Sequence, residues 1–190
     1  MTKTTVIQQA FKSHDNMVRD LPDLIPKIEM VTARMIQALK EGGKILWMGN
    51  GGSAADAQHL AAEFVGRYVR ERHGFASIAL TTDTSILTAV SNDYGFDTIF
   101  SRQIEALCTA KDIVVGISTS GKSANVLKGI NKAREVGALT IGFSGRDGGE
   151  LDDLVDISLV IPADDTSRIQ EGHILIGHII CDLVEAALAG

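Results

Sequence analysis

Cysteine is scarce in this chain of 190 residues, and runs of basic residues are absent. The two cysteines, Cys108 and Cys181, lie far apart and outside any CxxC pattern, which indicates reduced thiols in a cytosolic protein. With 18 Lys+Arg against 24 Asp+Glu, the formal net charge is −6. A chain with this acidic balance is not expected to bind nucleic acid or an anionic membrane surface.

Long apolar segments are missing as well. The most apolar stretch, residues 174–189, carries His178, Asp182 and Glu185, so it predicts a buried helix rather than a membrane span. The N-terminal sequence MTKTTVIQQAFKSHD has no apolar block followed by a small-residue cleavage site, so we expect no signal peptide and a cytoplasmic location. Linkers, repeats and low-complexity tracts are absent and 45% of the residues are apolar, so residues 1–190 are predicted to form one folded domain.

Glycine is what the chain has in excess, with 19 residues. Glycine clusters at 49–52, 121 and 145–149 each follow a short apolar run rich in β-branched residues. Such runs, unbroken by polar residues, are typical of strands that are buried on both faces. The predicted strands are residues 45–48, 78–80, 113–117, 139–143 and 157–161. Helical spacing of the apolar residues between them predicts an α/β fold with a parallel sheet of about five strands.

Both ends of the chain are predicted to be helical. Residues 1–42 contain no strand pattern, and their apolar residues from Leu24 to Leu39 recur at helical spacing, so we expect an N-terminal helical extension. The final helix, predicted from about 167 to 188, is apolar on most of its circumference. Because a small domain leaves part of such a helix uncovered, we expect subunit contacts there and hence an oligomer.

The loop after the third predicted strand, residues 118–123, is a candidate phosphate site and is called the hydroxyl loop below. It leads into a helix predicted over 124–136, and its hydroxyl groups belong to Ser118, Thr119, Ser120 and Ser123. Hydroxyl groups and free backbone N–H groups at the start of a helix favour the binding of an anion. The alternative is an ordinary helix capped by a serine. Three consecutive hydroxyl residues, with a fourth at the cap position, favour the phosphate site.

Two matches to nucleotide-binding motifs are interpreted as chance. Residues 116–123 fit the Walker A pattern, but they follow the third strand instead of the first, and no convincing strand ends in a magnesium-binding Asp. Residues 49–54 fit the weak form of the dinucleotide fingerprint, but the nearest acid past the second predicted strand is Asp83, about 30 positions on instead of about 20. We interpret residues 49–54 as a backbone clamp for a small ligand, and we call residues 49–52 within them the glycine-rich loop.

The helix after the glycine-rich loop carries a candidate metal site. His59 and Glu63 are four residues apart, so both side chains can reach one point on the helix surface. A solvated His–Glu pair of little energetic value is the alternative. The position of the pair, on the helix that opens directly from the glycine-rich loop, favours a functional site.

Polar residues also interrupt the final apolar helix, at Gln170, His173 and His178. Ser167-x-x-Gln170 fits a capping box, and the isoleucines around His178 predict a neutral core histidine. Gln170 and His178 are about 12 Å apart along a helix axis. They would meet on one ion only with both side chains extended toward a point between them, or with ligands drawn from two subunits.

Four segments of the chain together resemble the phosphoheptose isomerases of the sugar-isomerase (SIS) fold. The resemblance covers residues 40–188 and is carried by GNGGSAADAQHLAAEFVGRY at 49–68, TAVSNDYGFDTIFSRQ at 88–103, GISTSGKSANVL at 116–127 and SRIQEGHILIGHIICDLVE at 167–185. It implies a five-stranded parallel flavodoxin-like sheet flanked by helices, a homotetramer with active sites between subunits, and one zinc per subunit. The implied reaction converts sedoheptulose 7-phosphate to D-glycero-D-manno-heptose 7-phosphate through an enediol, as the first step of activated-heptose synthesis for lipopolysaccharide core.

The resemblance also implies roles for individual residues. Glu63 and His178 would be the acid–base pair. The implied zinc ligands are His59, Glu63, Gln170 and His178. The implied substrate contacts are Asn50, Gly51, Gly52, Ser53, Glu63, Asn92, Asp93, Ser118, Thr119, Ser120, Ser123 and Gln170. One departure is Ser167, where some members have Asp, so any role of that acid is absent here or belongs to Asp165.

A non-catalytic relative of the same fold is the alternative function. Some proteins of this fold bind sugar phosphates as sensors, and one binds the bacterial replication initiator. Such relatives typically lack the Glu or the second His. This chain has His59, Glu63, Gln170 and His178 together, which favours the enzyme.

Overall fold

Five strands form one parallel sheet in a computed structural model that describes residues 2–189. The strands are β1 (Ile45–Gly49), β2 (Ser77–Ala79), β3 (Ile113–Ile117), β4 (Leu139–Gly145) and β5 (Ile157–Ile161). Their spatial order is β2-β1-β3-β4-β5, and each neighbouring pair is parallel. This is the flavodoxin-like order, so the predicted sheet is confirmed.

Helices flank the sheet and precede it. The α-helices of the described chain are α1 (Lys3–Asp20), α2 (Ile25–Lys40), α3 (Gly52–Val65), α4 (Thr84–Tyr94), α5 (Ile99–Leu107), α6 (Ala124–Val136), α7 (Gly149–Leu154) and α8 (Thr166–Leu188). Short 3-10 helices lie at Leu21–Leu24 and Phe96–Thr98. The first two helices confirm the predicted helical N-terminal region. Between residues 2 and 189, no helix combines the length and the apolar character needed to cross a bilayer.

The sheet is buried on both faces, which explains why its strands lack polar alternation. Along β1, Ile45 and Trp47 belong to one core cluster, which lies under α2, α3 and α8. Leu46 and Met48 belong to the other, which lies under α5 and α6. Because every residue of β1 is buried, the strand is a continuous apolar run.

Strand β2 begins one residue earlier than the sequence predicted, at Ser77 instead of residue 78. The backbone of Ser77 pairs with Ile45, and its hydroxyl accepts the indole N–H of Trp47 at 2.9 Å. A buried indole needs an acceptor of this kind. A search for apolar runs passes over the serine that supplies it, which accounts for the shift.

Helix α8 approaches the rest of the chain closely through two glycines. A Cβ on Gly177 would lie 2.6 Å from Cδ2 of Leu60, and a Cβ on Gly172 would lie 2.7 Å from Cγ2 of Ile161. Only glycine permits contacts this close. The outer face of the helix stays partly uncovered, since Ile179 and Leu183 are 39% and 42% exposed.

Candidate active site

The glycine-rich loop joins β1 to α3 at the carboxyl end of the sheet. Gly51 is the N-cap of α3 and has φ +56°, a left-handed conformation that favours glycine. A Cβ on Gly52 would lie 2.3 Å from Nε2 of Gln170, so the side chain of Gln170 on α8 lies against the first turn of α3. The predicted clamp residues Asn50 and Ser53 flank this point of contact.

The hydroxyl loop joins the neighbouring strand, β3, to α6. The hydroxyl oxygens of Ser118 and Ser123 lie 3.0 Å apart, and the hydroxyl oxygen of Ser120 accepts the N–H of Lys122 at 3.2 Å. Ser123 occupies the N-cap position, but within residues 2–189 its side chain makes no cap hydrogen bond. The alternative of an ordinary serine cap is therefore wrong. Hydroxyl groups gathered in this way at the start of a helix suit an anionic ligand.

The glycine cluster at residues 145–149 packs against the hydroxyl loop. Gly121 has φ +64°, and a Cβ there would lie 1.9 Å from the carbonyl oxygen of Gly148. The N–H of Leu151, in the first turn of α7, donates to the carbonyl of Gly121 at 3.0 Å. Two of the three glycine clusters seen in the sequence, at 121 and 145–149, thus pack against each other and fix the position of the hydroxyl loop.

A pair of asparagines connects the glycine-rich loop to the hydroxyl loop. Nδ2 of Asn50 donates to Oδ1 of Asn125 at 2.8 Å, and Nδ2 of Asn125 donates back to Oδ1 of Asn50 at 2.8 Å. Asn125 is only 2% exposed. Asn125 was not predicted as a site residue, because its partner is 75 positions away in the sequence. The signal for Asn125 in the sequence was a polar residue next to apolar ones at the start of the helix predicted over 124–136.

His59 and Glu63 on α3 and His178 on α8 converge at one point. Nε2 of His59 lies 3.0 Å from Nε2 of His178 and 3.3 Å from Oε1 of Glu63. One ligand atom from each of the three side chains lies within 4.8 Å of the others. Two imidazoles and a carboxylate are typical donors for Zn²⁺, and three such ligands leave a fourth position open. The donor set therefore fits a catalytic metal centre.

The core histidine of α8 is His173, so the prediction of a core position for His178 is wrong. His173 is 1% exposed, and its Nε2 lies 2.9 Å from the carbonyl oxygen of Ser144. Burial lowers the pKa of His173 to about 4, although the hydrogen bond to Ser144 opposes the shift. His178 lies instead where the glycine beside it, Gly177, brings α8 against α3, and this contact places its ring next to His59.

The capping-box interpretation of Gln170 is also wrong. Helix α8 begins at Thr166 with Asp165 as its N-cap, so Ser167 already lies inside the first turn. Gln170 is thus free to reach across to the glycine-rich loop. Its contact with Gly52 lies seven residues from His59, or about 10 Å along the axis of α3.

Asn92 and Asp93 lie near the C-terminal end of α4. Nδ2 of Asn92 donates to Oδ1 of Asp93 at 2.9 Å, and both residues are exposed. No residue of α4, a helix that the structure describes in full, is buried. A cleft of about 180 Å³ beside the glycine-rich loop is lined from α4 by Leu87. The two predicted substrate contacts are not among the residues that line it.

Comparisons with family models, curated proteins and solved structures agree on one family. A family model of the SIS domain matches residues 11–145. The phosphoheptose isomerase of Geotalea daltonii is 57% identical over 185 residues, which cover 97% of this chain and 96% of that protein. The one of Helicobacter hepaticus is 56% identical over 182 residues, covering 96% and 93%. The structure of the phosphoheptose isomerase GmhA from Neisseria gonorrhoeae matches with a TM-score of 0.93 at 43% identity, covering 97% of this chain and 100% of that one.

The sheet order and the match to the family model define a SIS-domain protein. More distant structures share only this fold; the Vibrio vulnificus NanR protein complexed with ManNAc-6P matches with a TM-score of 0.68 at 16% identity. Within the SIS class, the chain belongs to the phosphoheptose isomerase family and is therefore an isomerase.

Proposed function

We propose that the chain converts sedoheptulose 7-phosphate to D-glycero-D-manno-heptose 7-phosphate, as the first step of activated-heptose synthesis for lipopolysaccharide core. The observation that carries this proposal is the convergence of His59, Glu63 and His178 from two helices, with ligand atoms within 4.8 Å of one another. Titratable side chains that converge from two helices, one of which starts at the glycine-rich loop, are typical of an active site. The names of the full-length relatives support the same substrate.

The hydroxyl loop is the proposed anchor of the phosphate. Its hydroxyl groups, from Ser118, Thr119, Ser120 and Ser123, lie at the start of α6 beside the glycine-rich loop. Asn50, Gly51, Gly52, Ser53 and Gln170 would contact the sugar, and Asn92 and Asp93 remain proposed contacts that have to come from a neighbouring subunit or from a shift of α4. Holding the phosphate fixes the register of the reacting carbons against the side chains that transfer protons.

The metal of the proposed site is zinc, one per subunit, held by His59, Glu63 and His178. Bound zinc would polarise the sugar carbonyl and stabilise the negative charge that develops on its oxygen. Gln170 is the proposed fourth ligand. Because its side chain lies about 10 Å along α3 from His59 in this chain, it reaches the metal only by swinging away from Gly52 or by acting on the site of another subunit.

The isomerisation needs two proton transfers, and the chain has a side chain for each. Glu63 takes the proton from C1 of the ketose, which gives an enediol, and returns a proton to C2. His178 moves the hydroxyl proton from the oxygen on C1 to the oxygen on C2, so the product is the aldose. General acid–base groups of this kind contribute about 10²–10⁴-fold each to the rate.

We further propose that residues 1–190 act as one SIS domain, with residues 1–42 as its helical extension, within a cytoplasmic homotetramer whose active sites lie at subunit interfaces. The partly exposed Ile179 and Leu183 of α8 support this assembly, as does the absence of buried residues along α4, all of which is described. Sedimentation at micromolar concentration tests it, and a monomer would contradict it.

The experiment that tests the function is NMR of sedoheptulose 7-phosphate incubated with the zinc-supplied protein in D₂O. The expected result is the appearance of the aldose, with solvent deuterium at C2 wherever the shuttled proton has exchanged. An untouched ketose would contradict the enzyme. The protein would then be tested for binding of sugar phosphates without turnover, or of the replication initiator.

Removal of metal is expected to lower kcat and the melting temperature together, because the ligands on α3 and α8 join the two helices. The measurement is steady-state kinetics and a thermal scan before and after dialysis against a chelator. Restoration by added Zn²⁺ is the control. Full activity in protein verified as metal-free would exclude the metal from the mechanism.

Replacement of Ser123 by Ala is expected to raise KM for the phosphorylated ketose by about tenfold or more, because a hydrogen bond to a charged group is lost. Lys122→Ala is the matched control, since this neighbouring lysine is exposed and belongs to the Walker match that we interpret as chance. Measuring KM for both variants distinguishes the hydroxyl loop as a phosphate anchor from a Walker A site that uses Lys122. An unchanged KM for Ser123→Ala, or a larger effect of Lys122→Ala, would contradict the hydroxyl loop as the anchor.

A further inference from the structure

The connection between α3 and β2, residues 66–76, is folded around one buried carboxylate. Glu185 of α8 is 1% exposed and accepts the backbone N–H groups of Tyr68 at 2.8 Å, Val69 at 2.8 Å and Arg70 at 2.7 Å. Three backbone donors on one carboxylate define the path of an otherwise irregular chain. The connection, which we call the anchored segment, therefore has a fixed position relative to α8.

Arg72 ties the same segment to the end of α3. Its Nε donates to Oε1 of Glu185 at 3.1 Å, and its side chain is 2% exposed. Its terminal nitrogens donate to the carbonyl oxygens of Glu63 and Phe64, each at 2.9 Å. The last carbonyls of a helix have no partner within the helix, so Arg72 satisfies them. The turn of α3 that carries Glu63 is thereby joined to α8 through a buried ion pair.

Tyr68 is the residue of the anchored segment that reaches the candidate active site. Its ring stacks on the imidazole of His178 with a centroid distance of 5.6 Å and an angle of 30° between the planes. Stacked rings at this separation attract each other beyond the area that they bury. Among the described residues, His59 is the only hydrogen-bond partner of the His178 ring. The stacking contact is therefore the second restraint on the orientation of that ring.

A single hydrogen bond leaves an imidazole free to tilt, because the torsion that turns the ring has broad minima. Histidines in metal sites are usually held by a further partner that fixes the ring. For His178, no carboxylate or carbonyl of the described chain fills that role. The ring of Tyr68 does, since the buried Glu185 holds its backbone in place.

We propose that Tyr68 is a positioning residue: its ring, held through its backbone N–H by Glu185, fixes the imidazole of His178 toward His59 and Glu63. In this role Tyr68 acts through His178, on which its ring stacks. The inference rests on the proposed function for its kinetic readout alone.

The test compares Tyr68→Leu, which removes the ring, with Tyr68→Phe, which keeps it. Tyr68→Leu is expected to lower kcat about tenfold with little change in KM for the phosphorylated ketose, since a misplaced catalytic group costs turnover rather than binding. Tyr68→Phe is expected to retain most of the wild-type kcat. A wild-type kcat in Tyr68→Leu, or an equal loss in both variants, would overturn the proposal.

A second readout needs no activity. In metal-free protein with ¹³C-labelled histidine, the ring signals of His178, assigned through a His178→Gln variant, are expected to carry a ring-current shift that Tyr68→Phe keeps and Tyr68→Leu loses. An unchanged His178 signal in Tyr68→Leu would overturn the stacking role even if turnover fell. If Tyr68→Leu loses the shift but the wild-type protein does not isomerise the ketose, the proposed function is contradicted and the positioning role of Tyr68 still holds.

Discussion

Replacement of Glu63 by Gln is expected to reduce kcat at least about 10²-fold while the fold and the oligomeric state are retained. Glutamine matches glutamate in size, so α3 and its packing against α8 should not change. An amide, however, does not take the C1 proton of the ketose. Oε1 of Glu63 lies 3.3 Å from Nε2 of His59, so the substitution removes the carboxylate at the point where the three converging side chains meet.

Kinetics and a metal assay on the same preparation separate the two roles proposed for Glu63. If the variant still binds zinc but no longer exchanges the C1 proton with solvent, Glu63 is the base. Glu71→Gln is the matched control, because its side chain is 92% exposed and carries the same charge. Near-normal turnover in Glu63→Gln would contradict the role of Glu63 as base.

The fold was largely predictable because parallel strands buried on both faces leave a strong pattern in the sequence. β3 and β5 match their predicted bounds, and β1 and β4 extend past theirs by one and two residues. Those extra residues are glycine and serine at the ends of strands, where apolar content falls while backbone pairing continues. Strand β2 was shifted for the related reason that Ser77 pairs in the sheet without being apolar.

The candidate site was predictable only where local periodicity determines it. His59 and Glu63 are four residues apart on one helix, and the structure places them 3.3 Å apart as that spacing requires. The side of α8 that meets α3 depends on packing at Gly177 instead. The sequence is more apolar around His178 than around His173, so the pattern assigned the core position to the wrong histidine.

Residues whose partners are distant in the chain were missed altogether. Asn125 pairs with Asn50 across 75 positions, and Glu185 binds the backbone of Tyr68 across 117. In the sequence, a buried glutamate in an apolar helix stands out only as a charged residue among apolar ones. The groups that compensate its burial, the backbone N–H groups of the anchored segment and Arg72, cannot be recognised from the sequence. The contact between Tyr68 and His178 is hidden for the same reason, because it depends on the path of the anchored segment.

Removal of the buried charge is expected to have the largest effect on stability. Glu185→Gln should lower the free energy of unfolding by about 3–5 kcal/mol, because it leaves Arg72 buried without its counter-ion. Urea unfolding followed by circular dichroism measures the difference. Asp182→Asn is the matched control on the same helix: its ion pair with Arg70 is half-exposed, so its removal should change stability little. Equal losses in the two variants would contradict the role of the buried pair.

The difference in free energy of unfolding between the wild type and Glu185→Gln should depend on pH, which gives an independent check on Glu185. Burial by itself would raise the pKa of the Glu185 carboxyl, but hydrogen bonds from the backbone N–H groups of Arg70, Tyr68 and Val69, with the charge of Arg72, lower it from 4.5 to about 2. Because the folded state holds the proton less tightly than the unfolded state, the stabilisation is complete above pH 4.5 and is lost as the pH falls toward 2. The gap between wild type and Glu185→Gln should therefore narrow over that range. A gap that stayed constant down to the acid limit of folding would mean that the ionised carboxylate is not what holds the anchored segment to α8.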